Sequence, residues 1–273
     1  MSARGSSRRR VLLGLLAAGV ASAIWLRLDP RALFAPGSGE VLARFFRAAL
    51  SPALLSSTGA SLWPDVLDGI RATVAFAAGG MTLAIALGLP LGYLASSAWW
   101  DEDPSPGRRR RGRVITSAAR WLIAGMRSVH ELLWAMILLA ALGRSTATAI
   151  VAIAIPYGGT LAKVWSELID ESPRGGARAL RAIGARPGQS WLLGLAPRTL
   201  SDFASYAFYR FECALRSSAI LGFLGFPTLG YHLSLAFDNL RYPEVWTFLY
   251  ALLGLILAVE LWSAALRRRE GWA

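Results

Sequence analysis

Lysine is almost missing from this chain, and cysteine and histidine nearly so. Lys163 is the only lysine, and Ala162 precedes it. No GxxxxGK[ST] phosphate loop can therefore form, and ATP is not bound by that route. Cys213 is the only cysteine. That excludes an intramolecular disulfide framework, a multi-cysteine zinc site and an iron–sulfur cluster, and its apolar helical setting suits a buried packing thiol. His130 and His232 are the only histidines and stand on different segments. Without an HExxH or nucleophile motif beside them, an integral-membrane enzyme is disfavoured, and neither metal nor cofactor is expected. Acidic side chains are also scarce, 17 against 29 basic ones, for a formal net charge of +12.

What the chain has instead is apolar sequence: 55% of its residues are hydrophobic. They come in blocks of about 20, long enough to cross roughly 30 Å of hydrocarbon. This predicts an all-α, polytopic membrane protein whose surroundings are the lipid bilayer. The excess of arginine sits at the ends of these blocks, as the positive-inside rule predicts, rather than forming a surface for nucleic acid.

Residues 1–10 are a basic tail and 11–26 an apolar segment. Together they fit either an uncleaved anchor helix or a signal peptide with Ala21-Ser22-Ala23 as its cleavage site and a twin-arginine hint at Ser7-Arg8-Arg9. The further spans downstream favour the anchor. Residues 27–65 follow as an extracytoplasmic connection. Within it Val41, Leu42, Phe45, Phe46 and Ala49 share one helical face, with Arg44 and Arg47 off it. That describes a helix lying in the membrane interface or a small helix packed on the bundle.

From residue 66 to 273 the chain reads as one transmembrane domain. Residues 66–98 form a long helix with Gly79, Gly80, Gly88 and Gly92 for close helix contact and Pro90 as a kink. The Trp99-Trp100 pair and the arginines of 108–113 mark the interface and the cytoplasmic side. Residues 114–142 return outward, carrying Arg127, His130 and Glu131 on one face at helical spacing. They line a translocation path, or Arg127 and Glu131 pair to order the bundle, or they stand at the cytoplasmic interface. Residues 146–165 come back in, with Pro156-Tyr157-Gly158-Gly159 as a flexible break. An Arg-rich loop follows, about residues 166–200; 200–235 go out and 245–266 come in. The count is six spans with both termini cytoplasmic, and the arginines of the tail, 108–113, 174–198 and 267–269 fall on one side. Arg27, Arg31, Arg44, Arg47 and Arg241 fall on the other, so the rule holds here as a bias.

The loop contains ALRAIGARPGQSWLLGLAPR, where Pro197 follows Gly184 by thirteen residues. Residues 205–230 read SYAFYRFECALRSSAILGFLGFPTLG, 127–139 read RSVHELLWAMILL, and 237–249 read FDNLRYPEVWTFL. Over residues 66–269 this resembles the transmembrane subunit of binding-protein-dependent ABC importers, and within them the phosphonate-type permeases. That branch carries the same Gly-to-Pro spacing in an EAA-type cytoplasmic loop, together with SYxLYRFExNxRSAxxLGxxGAGGIG. Three departures stand out. Arg178 replaces the Glu usual before the alanine matched by Ala179. Gly194 and Ala196 replace an Ile and a Leu. The glycine cluster is reduced to Gly225 and Gly230.

The resemblance implies a type I (MetI-like) importer permease fold in a bacterial inner membrane. It implies three partners: an ABC ATPase subunit, an extracytoplasmic substrate-binding protein and a second permease subunit. The loop would form a helix–turn–helix that couples to the ATPase. Gly184 would end its first helix, Ala185 leave a small-residue tip, Pro187 stop continuation, and Arg174, Arg178, Arg181 and Arg186 provide a basic rim. On the helix 203–221, Glu212 and Arg216 have ion-pair spacing. Arg210 points about 200° away from Glu212, on the face of Ser217. It is either a cation near an oxyanion path or a partner contact. Gly222, Gly225, Pro227 and Gly230 break the fifth span as a flexible gate or a packing kink. Asp238, Arg241 and Glu244 are expected to dock the binding protein. The cargo is expected to be a phosphonate or related oxyanion. The competing readings are an importer of an unrelated small solute and a proton-coupled secondary transporter using Glu131, His130 or Glu260, for which inverted sequence halves are not seen.

Overall fold

Backbone in lipid must close its hydrogen bonds internally, and this chain does so with helices. The computed structural model describes residues 3–27, 37–56, 59–98 and 106–269. Among them, helices are the regular elements, beside one isolated Leu55–Ser61 bridge. The Trp99-Trp100 pair lies outside the described residues.

The chain forms two units, residues 1–51 and 52–273. The first holds α1 (Ala3–Trp25) and α2 (Ser38–Ala49). Gly37, at φ 94°, opens α2, and Val41, Leu42 and Phe46 on its apolar face remain exposed. Residues 52–62, read from the sequence as part of the extracytoplasmic connection, belong to the second unit. Ala53 donates its N–H to Pro243 O at 3.1 Å and accepts from Thr247 Oγ1 at 2.6 Å.

The second unit is built on α3 (Trp63–Ala95) and α6 (Thr146–Glu171). Gly80, Ala84, Gly88 and Gly92 recur every fourth residue of α3 and present a strip without bulk. A Cβ on Gly80 would come within 2.7 Å of Ile153, one on Gly88 within 3.0 Å of Leu161, and one on Gly92 within 3.1 Å of Ala162 O. Since lipid removes the hydrophobic drive between helices, such close contact is what holds the pair. The expected break at residues 156–159 is absent. α6 runs unbroken through Pro156, Gly158 fits against Ala84 O and Gly159 against Met126. These glycines serve helix packing, so the expectation of flexibility is corrected. α3 likewise continues through Pro90.

The segment 114–142 is two helices, α4 (Pro106–Ser128) and α5 (Glu131–Leu142), bent by 89°. No proline or glycine stands at the break. Extended His130 caps α5 by accepting the Leu132 N–H on Nδ1 at 3.3 Å, and Trp134 Nε1 donates to Met126 O in the last turn of α4 at 3.3 Å. Each helix end thereby gains a side-chain partner across the bend. After α6 come α7 (Gly175–Ala182), α8 (Pro187–Ser190), a π-helical turn (Trp191–Leu195) and α9 (Ala196–Ile220). A 3-10 turn (Leu221–Leu224), α10 (Leu229–Asp238) and α11 (Tyr242–Arg269) complete the chain.

Among the described residues, three helices are long and apolar enough to cross a membrane, or five if the bent pairs 109–142 and 196–238 each count once. The expected sixth span would be α1. Its apolar part, residues 11–26, covers only about 24 Å at helical rise, below the roughly 30 Å of a bilayer core.

Asp170, in the last turn of α6, ties this unit together. Its Oδ1 accepts from Ser96 Oγ at 2.6 Å, Ser97 N–H at 2.9 Å and Ala98 N–H at 3.1 Å, and its Oδ2 meets Arg120 Nη2 at 3.4 Å. Arg120 also donates to Ala95 O at 3.0 Å. One carboxylate thus joins the ends of α3 and α6 to the middle of α4.

Candidate functional site

Two places gather polar side chains within this apolar scaffold. The first is a cavity of about 300 Å³ lined by Arg127, His130, Glu131, Tyr157, Thr160 and Arg210, with Val129 and Pro156. Four of the six polar residues singled out in the sequence meet here, brought from α4, the α4–α5 break and α9. They do not share one straight helical face, because the chain turns at His130. That turn brings the start of α5 against α6 and α9.

The hydrogen bonds have a direction. Glu131 Oε1 accepts from Ser217 Oγ at 2.8 Å, and its Oε2 lies 3.4 Å from His130 Nε2. A carboxylate only accepts, so Ser217 donates to it and takes the Tyr157 Oη–H at 2.8 Å in turn. His130 Nδ1 is the acceptor at the α5 cap, so Nε2 is the ring nitrogen turned to Glu131. Arg210 is held by Tyr206, whose Oη accepts from Nε at 2.9 Å and Nη2 at 2.7 Å. Its guanidinium carbon also lies 5.2 Å from the Tyr206 ring centroid and 5.7 Å from that of Tyr209.

Two expectations fail. Arg127 does not pair with Glu131, whose oxygens are taken by Ser217 and His130. The Glu212–Arg216 pair does not form either. Glu212 is buried, with Oε1 lacking a hydrogen-bond partner, while Arg216 points outward. The four-residue spacing joins side chains only when both lie on the helix surface, and α9 turns Glu212 into the bundle. Sequence reasoning missed Tyr157 and Ser217. Hydroxyl side chains within apolar helices were their signal, but nothing in the sequence placed them opposite Glu131.

The second place is the elbow between α6 and α9. α7 ends in a Schellman arrangement. Gly184, at φ 91°, donates to Arg181 O at 3.0 Å, and Ala185 N–H reaches back to Leu180 O at 3.0 Å. α8 starts at Pro187, where its missing N–H costs nothing, and the Gln189 side chain accepts the Arg186 N–H at 2.9 Å. Pro187 therefore begins a helix as well as ending the turn. Pro197 instead lies within continuous helix, directly after the π-turn, where the ladder of backbone hydrogen bonds is already shifted. The tip exposes Ala179, Ala182, Ile183 and Gly184, with Ile183 81% exposed. Arg178 and Arg186 stand out at its edge. Arg181 and Arg174 are only partly exposed: the Arg181 charge acts on Tyr93 of α3, and Arg174 donates to Asp170 O at 3.4 Å. The basic rim is thus smaller than expected. Gly194 has a local reason: a Cβ there would meet the Ala177 backbone at 3.0 Å, so α7 lies directly on the π-turn.

At the opposite end of α9 the chain bends by 45° into α10, with residues 219–222 packed against 228–231. A Cβ on Gly222 would fall 2.1 Å from Tyr231 N, and one on Gly230 1.9 Å from Ala219 O. Thr73 of α3 holds this turn. Its carbonyl accepts from Ser218 Oγ at 2.7 Å and its hydroxyl accepts the Leu229 N–H at 3.1 Å. Gly225 has φ 86°, Pro227 is exposed, and Arg144 reaches Gly225 O at 3.4 Å. The contacts are those of a tightly packed kink. Glu244, expected to dock a partner, is buried and pairs with Arg241 at 3.0 Å, while Asp238 is exposed.

Comparison with known proteins places these features. Residues 84–270 match the family model of binding-protein-dependent transport system inner membrane components. The chain is 27% identical over 224 residues to the phosphite transport system permease protein PtxC of Stutzerimonas stutzeri, covering 80% of this chain and 78% of that protein. It is 29% identical over 196 residues to the phosphate-import permease protein PhnE of Mycolicibacterium smegmatis, covering 72% of this chain but 35% of that one. Among solved structures, the MetNI methionine ABC transporter in an inward-facing conformation superposes with a TM-score of 0.64 at 20% identity, over 79% of this chain and 99% of that chain. An amino acid ABC transporter gives 0.61 at 17% identity, over 76% and 94%. At these identities the structures speak to fold alone.

Proposed function

The chain belongs to the family of binding-protein-dependent transport system inner membrane components, and on that premise we propose that it carries phosphite, a phosphonate or a related oxyanion. It is a permease subunit of an ABC importer and not itself an enzyme; ATP hydrolysis is the task of a partner ATPase. Membership also removes the proton-coupled alternative.

The observation that carries the oxyanion reading is the cavity holding Arg127 and Arg210. Guanidinium groups match the oxygens of tetrahedral anions in charge and geometry. The names of the relatives point to the same cargo class. The exposed tip at Ala179, Ile183 and Gly184, edged by Arg178 and Arg186, supports the elbow as the dock for the ATPase. The kink at Gly222–Gly230 supports an outer closure of the path, beside an external binding protein. A second permease subunit completes the pathway, and the arginines of 108–113, 174–198 and 267–269 at the ends of the apolar helices support a cytoplasmic side for the elbow and the C-terminus.

The test is ATP-dependent uptake in vesicles holding this chain with its ATPase and binding protein. Phosphite, methylphosphonate and inorganic phosphate are compared with an uncharged solute. Oxyanion uptake is expected, falling by about tenfold or more when Arg127 and Arg210 are both changed to Gln, since each change removes a unit charge from the cavity lining. Uptake confined to the uncharged solute, or unaffected by the double change, rejects the reading.

A further inference from the structure

Glu131 is out of place on a path for anions. The cavity has two arginines, so without Glu131 its lining is strongly positive. Such a site would hold an oxyanion strongly, and a conduit must release what it takes up. Glu131 adds one negative charge to the same cavity. Its carboxylate is not locked into an ion pair with either arginine: it is held by one hydroxyl, Ser217 Oγ, and by the His130 ring. It is also the first residue of α5, where the helix dipole favours an anion. The tethers come from separate places, Ser217 from α9 with Tyr157 of α6 behind it, and His130 from the break itself.

We propose that Glu131 is a resident counter-anion that competes with the cargo. Building on the oxyanion reading, it sets the affinity of the cavity for tetrahedral oxyanions low enough for release. In the empty cavity the carboxylate supplies the negative charge. When an oxyanion enters between Arg127 and Arg210, the repulsion between it and Glu131 keeps the stay short. No covalent step is involved. The Tyr157–Ser217–Glu131 chain sets how far the carboxylate stands from the arginines, so Ser217 and Tyr157 are positioning residues.

Glu131→Gln tests this. The amide is nearly isosteric and its oxygen still accepts from Ser217, while its N–H₂ takes the place of the oxygen facing His130 Nε2, so the charge and that one contact change. Equilibrium binding of radiolabelled inorganic phosphate, phosphite and methylphosphonate is measured on the nucleotide-free complex of permease and ATPase in nanodiscs of neutral lipid, without binding protein. Binding is expected to tighten by about tenfold or more, from the loss of one like charge at short range, while maximal uptake by the full system falls. Ser217→Ala keeps the charge and removes the tether, freeing the carboxylate to approach the arginines; binding is expected to weaken several-fold. Unchanged binding in Glu131→Gln overturns the proposal, as does weaker binding; if that variant does not assemble, unchanged binding in Ser217→Ala overturns it. Failure of the underlying reading looks different. Then the Arg127→Gln, Arg210→Gln double variant binds and transports oxyanions like the wild type, whatever Glu131 does.

Discussion

Removing the Asp170 carboxylate should weaken both the fold and the link between the elbow and the rest of the bundle. Asp170 takes three hydrogen bonds on one oxygen, two from the N–H groups of Ser97 and Ala98 just past the end of α3, and contacts Arg120 with the other. A hydrogen bond to a charged group contributes roughly 1.5–3 kcal/mol net. The three share one oxygen, and the side chain is 24% exposed, so water replaces part of the loss. Asp170→Ala is therefore expected to cost about 2–4 kcal/mol. Asp170→Asn keeps an acceptor oxygen toward residues 96–98 but turns an amide N–H₂ toward Arg120, and is expected to cost about 1–2 kcal/mol. The order in thermal unfolding of the purified complex should be wild type, Asn, then Ala, with the Ala variant lower by roughly 5–10 °C on the scaling of soluble domains. Function should suffer more than stability suggests. α7 begins at Gly175, five residues on, and Arg174 donates to the carbonyl of Asp170 itself. A motion at the elbow would be lost in a loosened end of α6, so solute moved per ATP hydrolysed should fall while ATP hydrolysis persists. An Asp170→Ala complex that melts with the wild type and keeps its transport-to-hydrolysis ratio would refute this reasoning.

Gly184→Val places a β-branched side chain at φ 91° with open space around it, so it should cost only about 1–2 kcal/mol, all of it local strain. Membrane insertion and assembly should be retained while uptake is uncoupled from ATP hydrolysis, and normal uptake would remove the elbow from the coupling argument. Gly222→Ala must displace backbone, because its Cβ would lie 2.1 Å from Tyr231 N, whereas a Cβ on Gly225 meets only Arg144 Nη1 at 3.3 Å. The yield of assembled protein should thus fall far more for Gly222→Ala, which carries an overpacking cost of about 3 kcal/mol or more, than for Gly225→Ala. Equal yields from gel filtration would show that the kink opens readily.

The residues differ in how far they could be read without coordinates. Gly184 announced its helix end because a left-handed residue followed by a helix-starting proline is a local pattern, and local patterns are complete in sequence. The bend at residues 128–131 was hidden, because the apolar run across it read as one span and its cap is a histidine, His130. Gly158 and Gly159 misled for another reason. In soluble proteins a glycine pair marks a turn; between membrane helices it marks contact.

By itself the sequence determined the class: apolar blocks of span length, arginine biased to their ends, no nucleotide loop, and a Gly-to-Pro elbow shared with a family. These properties depend on composition and on neighbours along the chain. Only the tertiary structure decided partners. It set Glu131 against Ser217 and His130 instead of Arg127, buried Glu212 away from Arg216, and gave Asp170 the end of α3. Helical periodicity places side chains on a face. In a bundle whose helices are apolar on every side, it does not say which face meets which helix, and hydrogen bonds between distant segments follow from that meeting alone.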